Sequence, residues 1–522
     1  MTTERSRMPA VAPGQPPATR PARRVVLWIA PINADYLDAL RNEGIKVVAA
    51  LHNNGIQAVS PLQSVYPDIF WFTVHDLFLG CPRLSAHSQM QAPAAWIDDA
   101  SYRQYALCVQ RVGFHPGSQV MEVLSGGIAA ASDLEDWARV HLNHALRLLH
   151  AVSADEIWFD TTPHIGVDNM LALAAARTGR PCLVVEQIRF APKFSCRRIG
   201  ETRDSLTQAL AWKPWTAGAG QPDLSYMREN VGRPWHQGLG ERLGSLLRGL
   251  AGDWPALSTR AYLGARKRRA WWPMYLLEWL DPHTRVWAAA RLRLRRRFDR
   301  ERKRREHVRT VEALGDFVYF PLHLEPEANV HATGGRYRNQ LDAIVDLHQS
   351  LPPGWSIVLK ENPKQTWMHR GPPFVERLKE LPSVRFADEA MPSRELIAHS
   401  RLVATITGTA GYESLLAGKP CLYFGEPWYA GLPGVIGFEP GLDLVELSAG
   451  RVARDALDAA VNARLSGLAD GLAHPRFAGA YMASHDIADL YAQTARSMVA
   501  IGAHLQSMEC PVAGPDAGAA GR

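Results

Sequence analysis

A short turn of small and hydroxyl-bearing residues, 407–411, is the clearest candidate for chemistry in this sequence. It follows an apolar run typical of a strand and precedes a short helical pattern that Gly418 ends. A strand, a tight turn and a helix gather backbone N–H groups and the positive end of a helix dipole at one point. We therefore predict a phosphate-binding turn. Its expected binding residues are Thr407, Gly408, Thr409 and Gly411.

Three further loops follow predicted strands in the same part of the chain. The first holds His323, Glu325 and Glu327, the second holds Lys360, Glu361 and Asn362, and the third, weaker one holds Asp388 and Glu389. The carboxyl ends of strands in a doubly wound sheet meet at one edge, so these loops are expected to converge on the turn. They offer a cation, an imidazole and carboxylates beside a phosphate nest. This set suits a nucleotide phosphate joined to a second group.

Individual roles follow from the chemistry of each side chain. Lys360 would neutralise phosphate charge as a leaving group departs. Lys360 and Glu327 are therefore predicted to be catalytic, and the other residues of the first two loops to bind substrate. Glu413, within the first turn of the helix, is predicted either to bond a ribose or to stabilise the start of the helix.

Each of these residues also has an ordinary structural explanation. A Thr-Gly-Thr turn before a helix often serves only as an N-cap, here Thr409. A single histidine such as His323 is more often a hydrogen-bonded structural residue than a catalyst, and Glu325 with Glu327 would fit a surface turn. Their shared placement at strand ends favours the functional interpretation.

A second candidate site lies earlier in the chain, after the apolar run 156–159. Asp160 and His164 follow this run and are predicted to act as a general base or nucleophile. Glu186, Arg189 and Lys193 follow the next strand and would hold an anionic acceptor. The alternative for Asp160 is a helix cap ahead of Gly166.

The elements that must position these residues form two α/β patterns. Residues 25–196 contain continuous apolar runs of the parallel-sheet kind at 25–30, 45–51, 68–73, 119–124, 156–160 and 181–186, with helices at 34–42 and 134–150. Residues 311–505 alternate strands at 316–321, 355–360, 384–387 and 402–406 with helices at 337–349, 374–381 and 394–399. We predict an α/β fold of two Rossmann-like lobes with a central cleft.

Residues 197–310 differ from both lobes. Tryptophan is dense there, and arginines follow at Arg291, Arg293, Arg295, Arg296, Arg297, Arg300, Arg302, Arg304 and Arg305. Aromatic residues beside a basic helix suit an anionic membrane surface. The alternative is a solvated helical face in an insertion, and no RNA- or DNA-binding motif accompanies the arginines.

Composition excludes several classes of protein. Apolar residues make up 47% and charged residues 21% of the 522 residues, which is typical of a folded globular protein. Six scattered cysteines favour a reducing cytoplasm and give no zinc-site spacing. The first β-α-β unit lacks a Gly-x-Gly-x-x-Gly fingerprint, so no dinucleotide is implied. We expect no cofactor and no metal, and disordered segments at 1–24 and 506–522.

Three segments carry a resemblance to a known family. The order Tyr319-Phe320-Pro321-Leu322-His323-Leu324-Glu325-Pro326-Glu327-Ala328, then Lys360-Glu361-Asn362-Pro363, then 405–413 with Gly418-Lys419-Pro420, resembles bacterial capsule and surface-polysaccharide biosynthesis proteins of the β-Kdo transferase kind. The resemblance implies a GT-B-like fold, independence of metal and a CMP-sugar donor. That family usually has Lys-Glu-His-Pro in its second motif, where this chain has Asn362. Asparagine can donate a hydrogen bond, but it cannot carry charge or move protons.

The predicted function is therefore transfer of a sugar from a nucleotide-sugar donor, such as CMP-Kdo, onto a capsular polysaccharide or lipid-linked acceptor. The expected location is cytoplasmic, at the inner face of the membrane through its arginine-rich segment. Two alternatives remain open. One is a polyol-phosphate transferase with a CDP-linked donor, and the other is a non-catalytic component of a capsule assembly or export complex.

Overall fold

A computed structural model describes residues 23–51, 61–78, 80–112, 131–201, 203–215, 307–325, 328–362, 365, 372–482 and 484–509. The predicted strand at 119–124, Glu327 and most of the Trp- and Arg-rich segment lie outside these residues. Within them, no helix has the length and apolar character needed to cross a membrane.

The described strands are mostly short and buried. They are β1 (Arg23–Trp28), β2 (Ile45–Leu51), β3 (Phe70–Phe72), β4 (Glu156–Phe159), β5 (Cys182–Gln187), β6 (Lys193–Arg198), β7 (His307–Val308), β8 (Phe317–Pro321), β9 (Ser356–Lys360), β10 (Val384–Ala387), β11 (Leu402–Thr405), β12 (Cys421–Tyr423), β13 (Val435–Gly437) and β14 (Ala469–Asp470).

Helices connect most of these strands. They are α1 (Ala34–Asn42), α2 (Pro61–Val65), α3 (Val74–Phe78), α4 (Asp99–Val112), α5 (Ala131–Ala151), α6 (Val167–Arg177), α7 (Ala328–His331), α8 (Gln340–Gln349), α9 (Pro372–Lys379), α10 (Ser393–His399), α11 (Thr409–Leu416), α12 (Leu444–Ala449), α13 (Arg454–Ser466), α14 (Ala478–Tyr481) and α15 (Ile487–Glu509). Short 3₁₀-helices occupy Pro82–His87, Ala94–Trp96, Val311–Leu314, Gly335–Tyr337 and Pro475–Phe477.

The first sheet has the order β14-β6-β5-β4-β1-β2-β3 among the described strands. β5, β4, β1, β2 and β3 are parallel, whereas β6 and β14 are antiparallel to their neighbours. Strand β1 is buried on both faces: Val25 and Leu27 join one hydrophobic cluster and Val26 joins another. This two-sided burial explains its continuous apolar sequence.

The second sheet has the order β13-β12-β11-β8-β9-β10-β7 in the described part of the chain, and its strands are parallel throughout. From the edge strand β7 the chain crosses to β8 in the middle, moves outward through β9 and β10, and then returns to β11. Its order therefore reverses between β8 and β11. The first sheet reverses in the same way between β1 and β4. Both sheets confirm the predicted α/β fold of two Rossmann-like lobes.

The C-terminal segment leaves the second lobe and packs on the first. β14 pairs with β6, and Tyr491 of α15 makes an edge-to-face contact with Tyr36 of α1 at 5.4 Å. The Arg23 guanidinium donates to the carbonyl oxygen of Met498 at 2.7 Å. Residues 469–509 therefore belong in space to the first lobe, although the sequence pattern grouped them with 311–505.

Elements at the carboxyl ends of the two sheets contact each other. Phe190, after β5, packs on Trp428, after β12, with ring centroids 5.1 Å apart, and it stacks on Tyr412 of α11 at 5.8 Å. The Arg203 guanidinium donates to the carbonyl oxygen of Glu426 at 3.1 Å. These contacts turn the carboxyl edges of the sheets toward one another, which is the arrangement expected of a cleft between lobes.

Candidate functional site

The strand order of each sheet reverses at one place, between β8 and β11 in the second lobe and between β1 and β4 in the first, and we call this place the switch point. The second lobe brings His323 and the predicted phosphate turn together at its switch point. The His323 Nε2 atom lies 3.0 Å from the Thr405 hydroxyl oxygen, which also accepts the backbone N–H of Gly408 at 3.0 Å. A Cβ atom on Gly408 would lie 2.7 Å from that hydroxyl oxygen and 2.9 Å from the His323 ring. Glycine is therefore required at position 408, because a larger residue would collide with Thr405 and His323. Sequence reasoning did not identify Thr405 as the bridge.

The helix after the turn begins one residue earlier than the capping alternative assumed. Gly408 is the N-cap of α11, and Thr409 is the first helical residue. The alternative that Thr409 is the N-cap is therefore wrong. Its side chain instead hydrogen-bonds the Glu413 carboxylate one turn later, while burial raises the pKa of Glu413. With no side-chain cap at Gly408, the first N–H groups of α11 have no partner from the capping residue.

The rest of the turn is fixed by aromatic and backbone contacts. The Tyr429 hydroxyl donates to the Gly408 carbonyl oxygen at 2.5 Å. A Cβ on Gly411 would lie 2.2 Å from the same hydroxyl, so glycine lets α11 pack on Tyr429. Thr407 lies close to Gly425, whose Cβ would be 2.8 Å from the Thr407 methyl group.

Two buried glutamines hold the loop that carries His323 and Glu325. Gln340 accepts the His323 N–H at 2.7 Å and donates to the His323 carbonyl at 3.2 Å. Gln365 does the same for Glu325, at 2.8 and 3.0 Å. Gln340 is fully buried and Gln365 almost so. Neither glutamine was predicted from the sequence, because an isolated glutamine gives no local signal of this role.

Lys360 reaches the same edge of the sheet but is directed toward the loop after β10. Its ammonium donates to the Met391 carbonyl oxygen at 2.6 Å and lies 3.4 Å from the Ser393 hydroxyl. Burial lowers its pKa, and nearby Glu389 and Asp388 oppose that shift.

The residues that follow Lys360 turn inward. Glu361 is buried, and its carboxylate accepts the Asn362 N–H at 3.0 Å. Asn362 is half-buried at the end of the described part of this loop.

The switch point of the first lobe carries Asp160. Its backbone N–H donates to the carbonyl oxygen of Trp28, at the end of β1, at 3.2 Å. Burial raises the pKa of the Asp160 carboxyl from 3.8 to about 6, against the lowering effect of Arg476 and His164. A carboxyl with such a pKa at the end of a central strand is suited to general-base work near neutral pH.

His164 stands close enough to influence this carboxyl. Its Nδ1 atom lies 2.9 Å from the Thr162 carbonyl oxygen, so Nδ1 carries a proton that it donates to this carbonyl. The structure thus places His164 near the Asp160 carboxyl, and their catalytic roles stay a prediction.

The helix-cap alternative for Asp160 is wrong, because Asp168 does that work. The Asp168 carboxylate accepts the backbone N–H groups of His164, Ile165 and Asn169 at 2.7, 2.9 and 2.8 Å. Asp160 is thereby left available for the cleft.

Two of the side chains predicted to hold an anionic acceptor are already paired. Lys193 is buried and forms an ion pair with Asp470 at 2.8 Å. Glu186 pairs with Arg203 at 2.6 Å. Arg189 is exposed and lies over the ring of Phe477, with its Cζ atom 5.8 Å from the ring centroid.

A cavity of about 240 Å³ lies at the β6–β14 edge, beside Trp215 and the start of α15. Of the predicted site residues its lining includes only Lys193, which forms an ion pair with Asp470. We place the site at the switch points instead, since chemically suited side chains converge there. In the described part of the chain, no group of three or more His, Cys, Asp or Glu side chains could hold a metal ion.

Comparisons with known proteins agree with the resemblance noted in the sequence. Residues 272–439 match the family model described as "Capsule polysaccharide biosynthesis protein". This match confirms that the chain resembles such proteins, although it covers less than half of the chain. Comparison with curated proteins gives no match.

Several solved structures are similar to this chain at low sequence identity. The beta Kdo 2,7 transferase of Thermosulfurimonas dismutans KpsC is 21% identical, over 33% of this chain and 60% of that chain, with a TM-score of 0.21. The beta Kdo 2,4 transferase of the same protein is 15% identical over 60% and 87%, with a TM-score of 0.24. Anabaena Alr3699/HepE, solved with UDP-glucose, is 12% identical over 93% and 99%, with a TM-score of 0.26. This chain thus spans less than two thirds of the first of these structures, and such TM-scores do not assign a function.

Proposed function

We propose that this chain is a glycosyltransferase that moves a sugar from a nucleotide-sugar donor onto a capsular polysaccharide or lipid-linked acceptor. One observation carries the proposal: the switch point of the first sheet holds a carboxyl of raised pKa, that of the second holds a phosphate-type turn, and elements at the carboxyl ends of the two sheets contact each other. The family match over 272–439 supports it, because that region includes the whole turn and the loops around it.

The donor binds at the second lobe. The N–H groups that open α11, that of Thr409 among them, and the hydroxyl of Thr407 hold its phosphate, where the helix dipole favours negative charge. His323 lines the other side of the same point, and its position is fixed by Thr405 and Gln340. Lys360, which holds the loop after β10 through Met391, adds positive potential to this edge of the sheet. This positive potential favours departure of the nucleotide, so that no metal ion is required.

The acceptor binds at the first lobe, beside Asp160. Asp160, assisted by His164, takes the proton of an acceptor hydroxyl as its oxygen forms a bond to the anomeric carbon of the donor sugar. The bond from that carbon to the nucleotide phosphate breaks, and the phosphate oxygen keeps the electron pair. A pKa near 6 leaves Asp160 ionised, and thus basic, at neutral pH.

The donor is a CMP-sugar, with CMP-Kdo as the first candidate. This choice rests on the sequence resemblance of 319–328, 360–363 and 405–413 to capsular β-Kdo transferases. Asn362 replaces the histidine of that pattern and would contact the phosphate through hydrogen bonds alone, so a weaker hold on the donor is expected.

Donor assays with the full chain test the proposal. CMP-Kdo, UDP-sugars and CDP-linked polyols are each supplied with a lipid-linked acceptor, and the released nucleotide is identified. Release of CMP that requires the acceptor supports the proposal, whereas release only from a CDP-linked polyol would make the chain a polyol-phosphate transferase. Calorimetry with CMP, UDP and CDP completes the test, because a chain that binds no nucleotide is not this enzyme.

A further inference from the structure

His474 lies on the segment that returns from the second lobe to the carboxyl edge of the first sheet. The Gly471 N–H donates to the Pro192 carbonyl oxygen at 3.0 Å, and the Ala473 N–H donates to the side-chain oxygen of Gln187 at 2.7 Å. Both acceptors belong to the hairpin that joins β5 and β6. These bonds fix the backbone just before His474, whose side chain is only 1% exposed.

The hydrogen bonds of the His474 ring fix its tautomer. Its Nε2 atom lies 3.1 Å from the carbonyl oxygen of Asp160 and 3.1 Å from that of Val185. A carbonyl oxygen can only accept, so Nε2 carries the proton and donates to both. Burial lowers the pKa of His474 to about 3, and Arg476 and Arg189 act in the same direction. The ring is therefore neutral, and its Nδ1 atom keeps a lone pair.

This Nδ1 atom faces the carboxyl group of Asp160. It lies 4.0 Å from the Oδ2 atom, and within the described part of the chain this buried nitrogen has no hydrogen-bond partner. Two acceptors do not attract each other, so the separation is expected while Asp160 is ionised. Once the carboxyl gains a proton it becomes a donor, and a shift of about 1 Å brings it within hydrogen-bond distance of Nδ1.

Charged groups near Asp160 act on it in other ways. Burial raises the pKa of its carboxyl to about 6, Arg476 and His164 oppose that rise, and Asp168 adds to it. The Asp168 carboxylate is occupied by three backbone N–H groups of neighbouring residues. The Nδ1 atom of His474 is thus placed to hold a proton on Asp160, and it does so without a charge of its own.

We propose that His474 is a positioning residue for the transfer reaction, which anchors the Asp160 backbone through Nε2 and accepts a hydrogen bond from the protonated Asp160 carboxyl through Nδ1. The proton comes from the acceptor hydroxyl, whose oxygen uses the released electron pair to bond the sugar. A hydrogen bond that only the protonated carboxyl can make stabilises that form alone, so Asp160 becomes a stronger base. This role rests on the proposed function of the cleft.

Two amide substitutions separate the roles of the two ring nitrogens. In His474→Gln the amide nitrogen reaches the position of Nε2 and can still donate to the two carbonyl oxygens, but no acceptor remains at the position of Nδ1. In His474→Asn the shorter amide reaches only the position of Nδ1, so its oxygen can accept from Asp160 while the bonds to the carbonyls are lost. His399→Gln is the matched control, because His399 is exposed on α10 and its ring bonds a carbonyl oxygen of its own helix.

Carboxyl-carbon NMR of the full chain, labelled with ¹³C at aspartate, measures the pKa of Asp160 without relying on catalysis, and Asp160→Asn identifies the resonance. We expect His474→Gln to lower this pKa by about one unit, the shift that one hydrogen bond of ordinary net strength produces, and to unfold near the wild-type temperature. His474→Asn should keep the pKa and unfold at lower temperature, and His399→Gln should change neither. An unchanged pKa in folded His474→Gln overturns the proposal, as does an equal fall of the pKa in His474→Asn.

Kinetics connect this hydrogen bond to the reaction. His474→Gln should lower kcat between about threefold and tenfold, with little change in the acceptor KM, and kcat/KM should rise with pH about one unit earlier than in the wild type. A wild-type kcat in this variant, despite a lowered pKa of Asp160, would overturn the role of His474 in transfer. A chain that shows the NMR shift but transfers no sugar supports the hydrogen bond and refutes the proposed function.

Discussion

The Nε2 atom of His474 lies 3.1 Å from the carbonyl oxygen of Asp160, although 314 residues separate the two in the chain. The ring is buried and neutral, and its Nδ1 atom is 4.0 Å from the nearer carboxylate oxygen of Asp160. A neutral imidazole cannot offset the cost of burying a carboxylate, so the pKa of Asp160 stays high. The C-terminal segment that carries His474 thus helps to set the pKa of Asp160 in the first lobe.

The first prediction concerns the activity of Asp160. We expect Asp160→Asn to lower kcat by about 10²- to 10⁴-fold, the usual contribution of a general base. In the wild type, kcat/KM should rise with pH through about 6, as the carboxyl loses its proton. Asp136→Asn, an exposed change on α5, is the control and should keep the wild-type profile. Initial rates measured from pH 5 to 8 decide the matter, and a flat profile would exclude Asp160 as the base.

Asp160→Asn, which should lower activity, should raise the stability of the folded chain at pH 8. The pKa of Asp160 is higher in the folded chain than in the unfolded chain, so protonation favours the fold below about pH 4 and this advantage is lost as pH rises through 6. The penalty at pH 8 amounts to at most about 3 kcal/mol, at 1.36 kcal/mol for each pKa unit. Asp160→Asn should therefore unfold at higher denaturant concentration than the wild type at pH 8, with a smaller difference at pH 4. An inactive but less stable variant would indicate a structural role.

Local sequence patterns predicted the elements that local contacts define. Helix α1 begins and ends where predicted because Asn33 caps its start and Gly44, at φ 77°, follows its end. Each of the predicted strands at 45–51 and 384–387 coincides with one in the structure because its apolar run is buried. The residues that define the ends of these elements lie within or next to them, so their bounds can be predicted from the local sequence.

Contacts that join distant parts of the chain escaped prediction for a physical reason. The pairing of β14 with β6 and the approach of His474 to Asp160 depend on how the chain returns after α13. The clamp of Gln340 on His323 depends on two side chains that meet only when β8 and α8 are packed. No short-range sequence pattern encodes contacts between such distant residues. The strand ends could therefore be predicted from the sequence, whereas the residues that contact them are known only from the structure.

The second prediction concerns the close approach at Gly408. In Gly408→Ala, the new methyl group would lie 2.7 Å from the Thr405 hydroxyl and 2.9 Å from the His323 ring, so the bridge between them must open. We expect the affinity for the nucleotide to fall at least tenfold, while the unfolding temperature changes little. Gly479→Ala is the control, since its Cβ would meet nothing within 4 Å. Calorimetry with CMP measures the effect, and unchanged affinity would place the donor phosphate elsewhere.

The third prediction concerns the arginine-rich segment 291–305, which lies outside the described residues. Exchange of Arg293, Arg295, Arg296 and Arg297 for glutamate should release the protein from vesicles that contain anionic phospholipid, because each basic residue near such a surface contributes about 1 kcal/mol. Binding of the wild type should also weaken as salt rises. Co-sedimentation with anionic and with neutral vesicles measures both effects. A variant that still sediments with anionic vesicles would refute the membrane role.

The fourth prediction separates the positioning of His323 from the general stability of the second lobe. Gln340→Met keeps the volume of the side chain but removes both hydrogen bonds to the His323 backbone. Each buried backbone group left without a partner costs about 1–3 kcal/mol, so the variant should unfold at lower temperature unless the loop moves to find water. If the loop moves, His323 leaves Thr405, and affinity for the nucleotide falls at least tenfold while the unfolding temperature changes little. Gln349→Met, at the exposed end of the same helix, controls for the substitution itself. Thermal unfolding and CMP binding measured on both variants distinguish the two outcomes, and wild-type values in both assays would show that Gln340 does not hold the loop.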